Sequence, residues 1–148
     1  MLDQKLRHDA QSHPIIRQFM TVPGIGAVTA TAYVATIDDH RRFTRSRNVG
    51  AHLGLAPRRF QSGDMDCQGS ISKCGDRMLR HYLFEAAGVL LTRVRRWSTL
   101  KAWGVRLAVR VGTKKAKCTV ARKLAVILHR MWRTGEGFRW GTPSQCAT

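Results

Sequence analysis

Residues 22–37 read Val-Pro-Gly-Ile-Gly-Ala-Val-Thr-Ala-Thr-Ala-Tyr-Val-Ala-Thr-Ile, and they close an uncharged run that begins at Gln18. A run of that length raises the question of a membrane span. Pro23, Gly24, Gly26 and four threonines answer it, because a Pro-Gly-Ile-Gly break would leave backbone groups unpaired in lipid. In water the same break is a turn between two helices. Upstream, residues 3–19 are expected to be helical, with Ile15, Ile16 and Phe19 as an apolar edge and Pro14 starting or kinking a turn. Downstream, Ala27 to Ile37 is expected to form a second helix, ended by Asp38-Asp39-His40. Ser46 is placed to cap a short helix that stops at Gly54. Residues 15–54 thus form one hairpin unit. The opening residues, MLDQKLRHDAQ, are polar and show no secretory signal.

Beyond the hairpin unit the periodicity is lost over residues 55–75, where Pro57, Gly63, Gly69 and Gly75 are spaced by small polar residues. This stretch reads as a long loop of the functional kind, with room for a short strand pair. Asp76 caps the most strongly periodic helix, in which Met78, Leu79, Tyr82, Leu83, Ala86, Ala87, Leu90 and Leu91 recur three and four apart. A weaker helix covers Thr99 to Val111. The last begins near Thr113, carries Val120, Leu124, Ile127, Leu128 and Met131, and stops at Gly135. The expected fold is mostly α. It is a single domain over 1–148: the hairpin unit, the loop, a basic helical region over 76–135 in two or three longer helices, and a frayed tail over 136–148.

Charge narrows the function. Of 148 residues, 26 are Lys or Arg and 9 are Asp or Glu, a formal net charge of +17. Between Glu85 and Glu136 there is no acid, while thirteen Lys and Arg fall from Arg93 to Arg133. The plain alternative is a solvated basic face. Fifty residues without a counter-charge favour contact with a nucleic-acid backbone. The cysteines, Cys67, Cys74, Cys118 and Cys146, match no zinc spacing, and the seven-residue recurrence of Cys67, Cys74 and His81 is a weak metal hint. Reduced thiols in a cytoplasm are the expectation, with no metal held by this chain.

Two segments carry chemistry. Pro23-Gly24-Ile25-Gly26 between two helices is the helix-hairpin-helix pattern, in which Gly24, Ile25 and Gly26 present backbone N–H groups to a DNA phosphate without reading a base. The alternative is a tight turn between packed helices. In the loop, Ser62, Ser70 and Ser72 lie among Arg58, Arg59, Lys73, Arg77 and Arg80. Such cations stabilise charge on a phosphoryl group, and a positioned hydroxyl could attack it. On the residues alone, a Ser-Gly pair is ordinarily a turn.

The order of motifs resembles one family. Pro-Gly-Ile-Gly is followed by Arg42-Phe43, Gly54-Leu55-Ala56-Pro57-Arg58 and Ser62-Gly63. Gly69-Ser70-Ile71-Ser72-Lys73, Gly75-Asp76, Leu79-Arg80 and the later Ala121-Arg122-Lys123-Leu124 complete the series. This resembles the C-terminal transposase domain of the insertion-sequence one-ten group, which includes the Piv and MooV DNA invertases, from about Val22 to Trp132. The resemblance implies a serine that attacks DNA and forms a phosphoserine link, carried here by Ser62, with Ser70 and Ser72 as rivals. It implies DNA or phosphate contacts at Lys73, Arg77 and Arg80, which join Gly24, Ile25, Gly26, Arg58 and Arg59 as the expected nucleic-acid-binding residues. It also implies a separate RuvC-like domain whose four acids bind magnesium, a bridge RNA as guide in some members, and action as oligomers. The 21 residues before the hairpin cannot hold that acidic domain, so the chain is expected to bind DNA but to be inactive alone, as a truncated or split enzyme in a bacterial cytoplasm near the nucleoid.

Two other readings compete. One is a non-catalytic basic helix-hairpin-helix module that coats or bridges nucleic acid. The other makes residues 76–91 an oligomer interface, although Tyr82, Phe84, Leu90 and Leu91 suit a core better. Trp97, Trp103, Trp132 and Trp140 sit among basic residues and suit either base stacking or packing and cation–π pairs. His52, His81 and His129 read as ordinary helix residues.

Overall fold

A computed structural model describes residues 4, 5, 8, 12–55 and 77–141. Among these there is no strand, and the bounded elements are six α-helices and one 3-10 turn: α1 (Pro14–Phe19), α2 (Ala27–Ile37), the 3-10 turn His40–Arg42, α3 (Arg47–His52), α4 (Arg77–Thr92), α5 (Thr99–Val111) and α6 (Thr113–Thr134). Gln4, Lys5, His8 and Ser12, ahead of α1, are helical as well. The mostly helical class is as the sequence implies. The loop 56–76, with its expected strand pair and the Asp76 cap, lies outside the described residues.

Local chemistry sets the boundaries. Pro14 occupies the first turn of α1, where its missing N–H costs nothing, and the His13 side chain accepts from Ile16 N–H. Ser98 starts α5 by accepting from Lys101 N–H at 3.1 Å. Gly135, at φ 76°, ends α6 in the left-handed conformation. One expected cap is different. Ser46 stands at the N-terminus of α3 but makes no capping bond. Its hydroxyl instead lies 2.8 Å from Nδ1 of His129, 83 residues away.

The 22-residue α6 is the spine, about 33 Å long at 1.5 Å per residue. It packs against α4, α5, α3, α1 and the 3-10 turn. Its inner face buries Val120, Leu124, Leu128 and Met131, while Leu79, Leu83, Ala87 and Leu90 of α4 complete the core with Phe19, Tyr33 and Ile37. The apolar face of α4 is therefore core, and of its large residues only Met78 is mostly exposed, at 61%. At Gly104 of α5 an added Cβ would stand 2.7 Å from Leu91 Cδ2 and 3.1 Å from Val120 Cγ2, so a side chain there would wedge α5 off α4 and α6.

Candidate nucleic-acid interface

The turn that opened the sequence reading folds inward on one side and outward on the other. Val22 and Ile25 are buried at 1% and 5%. Gly24 takes φ +91°, and a Cβ on it would stand 2.6 Å from the Ala86 carbonyl oxygen of α4. Gly24 is thus the point where the turn lies against the backbone of α4. Gly26 is the N-cap residue of α2, has nothing within 4 Å of a built Cβ, and no side chain caps the helix start. Of the three hairpin residues named from sequence, Gly26 alone faces solvent, with the uncapped first-turn N–H groups of α2 behind it.

The other sequence candidates divide in the same way. Arg77 is exposed at the first turn of α4. Arg80 is half-buried and donates Nη1–H to the Leu53 carbonyl at 3.3 Å, tying α4 to the end of α3. Ser62, its rivals Ser70 and Ser72, and Arg58, Arg59 and Lys73 lie outside the described residues. So do Cys67 and Cys74, the partners suggested for His81, which is itself exposed on α4. Among the described residues no group of His, Cys, Asp or Glu could hold a metal ion, and Asp39 is committed to Arg41 at 3.0 Å. The described residues do not fit a magnesium site. No helix among them is long and apolar enough to cross a membrane.

Beneath the hairpin is a polar knot that periodicity did not reveal. His129 is fully buried on α6, with Nε2 2.8 Å from the His40 carbonyl and Nδ1 2.8 Å from Ser46 Oγ. A carbonyl only accepts, so Nε2 carries the proton, and Nδ1 accepts from the Ser46 hydroxyl. Burial pushes the imidazole pKa down, helped by the Arg133 charge and opposed by the His40 carbonyl. Arg133 in turn donates to the Thr44 carbonyl at 3.1 Å. Nearby, Tyr33 donates its hydroxyl to the Ala125 carbonyl at 2.7 Å, and burial raises its pKa far above the ordinary phenol value. These contacts fix the turn after α2 to the spine. The only sequence signal for them was a histidine in an otherwise apolar row of α6.

The outer side of the spine carries the charge. A cleft of about 510 Å³ opens between α5, α6 and the segment that follows α6. Trp103 and Arg106 line it from α5, Lys123, Ile127 and Arg130 from α6, and Phe138 and Arg139 from beyond Gly135. Residues 136–141, the described part of the expected tail, return to the helices. The Trp140 carbonyl accepts from Thr99 N–H at 2.8 Å, Arg96 lies 3.7 Å over the Trp140 ring, and Gln18 donates to the Glu136 carbonyl. The tryptophans separate by role. Trp132 packs edge-on against Phe19 and beside His40, Trp140 pairs with Arg96, and Trp103 and Trp97 line open grooves. Sequence reasoning did not single out this cleft. The signal was present in Trp103-x-x-Arg106 and Lys123-x-x-x-Ile127-x-x-Arg130, each a stripe down one helix face.

A basic helical domain with this order of glycine and serine motifs in its sequence is of the transposase and recombinase class. The profile described as "Transposase IS116/IS110/IS902 family" matches residues 16–102, and the chain belongs to that family. It is 32% identical over 140 residues to the transposase for insertion sequence element IS1111A of Coxiella burnetii, covering 94% of this chain and 38% of that protein. It is 31% identical over 127 residues to the transposase for IS1328 of Yersinia enterocolitica, covering 85% and 38%. It is also 31% identical over 120 residues to the pilin gene-inverting protein of Moraxella bovis, covering 80% and 37%. The chain spans a little over a third of the length of these relatives.

Proposed function

We propose that this chain holds DNA for strand joining in transposition, with Ser62 as the nucleophile. The observation that carries the reading is the cationic run from Arg93 to Arg133, which has no acid within it and from which Arg106, Lys123 and Arg130 line the cleft on the outer side of α6, on a chain of the transposase family. Phosphates are the counter-charge such a surface lacks. In the proposed step the Ser62 hydroxyl oxygen bonds to a phosphodiester phosphorus as the bond to one strand's oxygen breaks, and the hydroxyl proton passes to that leaving oxygen. Gly26, Arg58, Arg59, Lys73 and Arg77 hold the DNA, while Gly24, Ile25 and Arg80 act through the packing described above. The reading assigns magnesium to a RuvC-like acidic domain, and it takes a second copy, that domain and a guide RNA as partners at the bacterial nucleoid.

Two measurements test it. Duplex DNA affinity for the full chain should fall by about 10³ between 50 and 200 mM salt if six or more phosphates are contacted. Affinity flat across that range overturns the reading. With an acidic RuvC-like domain, magnesium and insertion-sequence-end DNA supplied, a covalent protein–DNA adduct should form and should vanish in Ser62→Ala. An adduct that survives Ser62→Ala transfers the role to another group. Binding with no adduct at all leaves the non-catalytic nucleic-acid module.

A further inference from the structure

We infer that the cleft between α5, α6 and residues 136–141 seats one unpaired nucleotide of single-stranded DNA, its base against Trp103 and Phe138 and its phosphates on Arg106, Lys123 and Arg130. This rests on the DNA-holding reading above and specifies the form of DNA taken. The cavity, about 510 Å³, lies in the range of sites that enclose a small ligand, roughly 300–1,000 Å³. Its composition is what a nucleotide needs. Two half-buried aromatic side chains offer ring area, and Arg106, Lys123 and Arg130 are exposed at its rim. A fourth cation, Arg139, is paired with Glu136 at 2.6 Å, so the cleft has one carboxylate beside four cations and keeps a strong preference for an anion.

Geometry favours an unpaired strand. In a duplex both faces of every internal base are covered by its neighbours, so an aromatic floor at the bottom of a cleft gains nothing from it. An unpaired base has a free face, and stacking there is tolerant of sequence. Apart from the Thr99 hydroxyl, already directed to the Trp140 carbonyl at 3.3 Å, the side-chain polar groups of the lining only donate. They suit phosphate, and none of these side chains is an acceptor that would select for a ribose 2′-hydroxyl.

The test is a titration of the full chain with a thymidine oligodeoxynucleotide carrying one 2-aminopurine, whose fluorescence falls on stacking. Binding should quench the probe. Trp103→Leu and Phe138→Ala should abolish the quench and weaken single-strand binding about tenfold, as expected for loss of one stacking contact. Lys123→Gln and Arg130→Gln should each lower the salt slope by about 0.7. These two side chains are exposed, so the charge arm stands even if Trp103→Leu does not fold, which its thermal melt reports. A quench unchanged in Trp103→Leu and Phe138→Ala overturns the inference. So does an equal effect of these variants on duplex of the same sequence, or tighter binding of the uridine oligoribonucleotide, which gives the cleft to RNA. When the quench is unchanged, steep, salt-dependent duplex binding that persists through all four variants leaves the DNA-holding reading intact while this one falls. Loss of duplex binding in the unmodified chain is a failure of the earlier reading.

Discussion

At the scale of single residues, the informative side chain is His129. It is held neutral between an acceptor carbonyl and a serine hydroxyl, with its pKa below the ordinary imidazole value of 6.5. The unfolded chain therefore takes up a proton before the folded one does. Stability from this knot is fully present above about pH 6.5 and is lost as pH falls from there through the folded pKa. Chemical denaturation at pH 7.5 and at pH 5 should show the loss, and His129→Gln should flatten that slope. Tyr33→Phe deletes the buried bond to the Ala125 carbonyl and should lower unfolding free energy by about 1–2 kcal/mol, read from a urea midpoint. Neither role could be read from local sequence. The partners of His129 lie 83 and 89 residues away, and those of Tyr33 lie 92 away. Ser46 shows the same limit: its position identified a helix start, but its hydroxyl was claimed by a distant ring.

At the scale of elements, the two glycines of the turn have different duties, and substitution separates them. Gly24→Ala must accept φ +91° and a 2.6 Å approach to the Ala86 oxygen, so a loss of about 2–5 kcal/mol in unfolding free energy is expected. Gly26→Ala, at φ −99° with open space around it, should cost less than about 1 kcal/mol. If Gly26 meets phosphate, its variant weakens DNA binding with the fold intact. The helices themselves were largely legible. Ala27–Ile37, Thr99–Val111 and the stop at Gly135 follow from the breakers that bound them and the apolar rows within them. The first helical stretch, expected from residue 3, is divided at Pro14: Gln4, Lys5, His8 and Ser12 are helical, His13 is a bend, and Pro14 opens the next helix at its first turn. The cleft was not legible, since it needs Phe138 and Arg139, and no local rule returns the segment after Gly135 to the start of α5.

At the scale of the whole molecule, charge dominates. With a net charge of +17, and with the ion pairs Arg41–Asp39 and Arg139–Glu136 both local and exposed, the fold carries self-repulsion. Raising ionic strength from about 0.01 to 0.15 M shortens the screening length from about 30 to about 8 Å, so the melting temperature should rise rather than stay level. Calorimetry across that range checks it. A falling melting temperature would mean that the surface charges are already paired.

The long α6 has a buried side that serves as keel and an exposed basic side, divided by residue position. Positions turned toward the other helices are constrained by volume, whereas Lys123 and Arg130 are exposed along the cleft. An engineer could therefore transplant a different outer stripe onto this rod, retuning the molecule's taste for a polyanion while the inner stripe keeps the architecture upright.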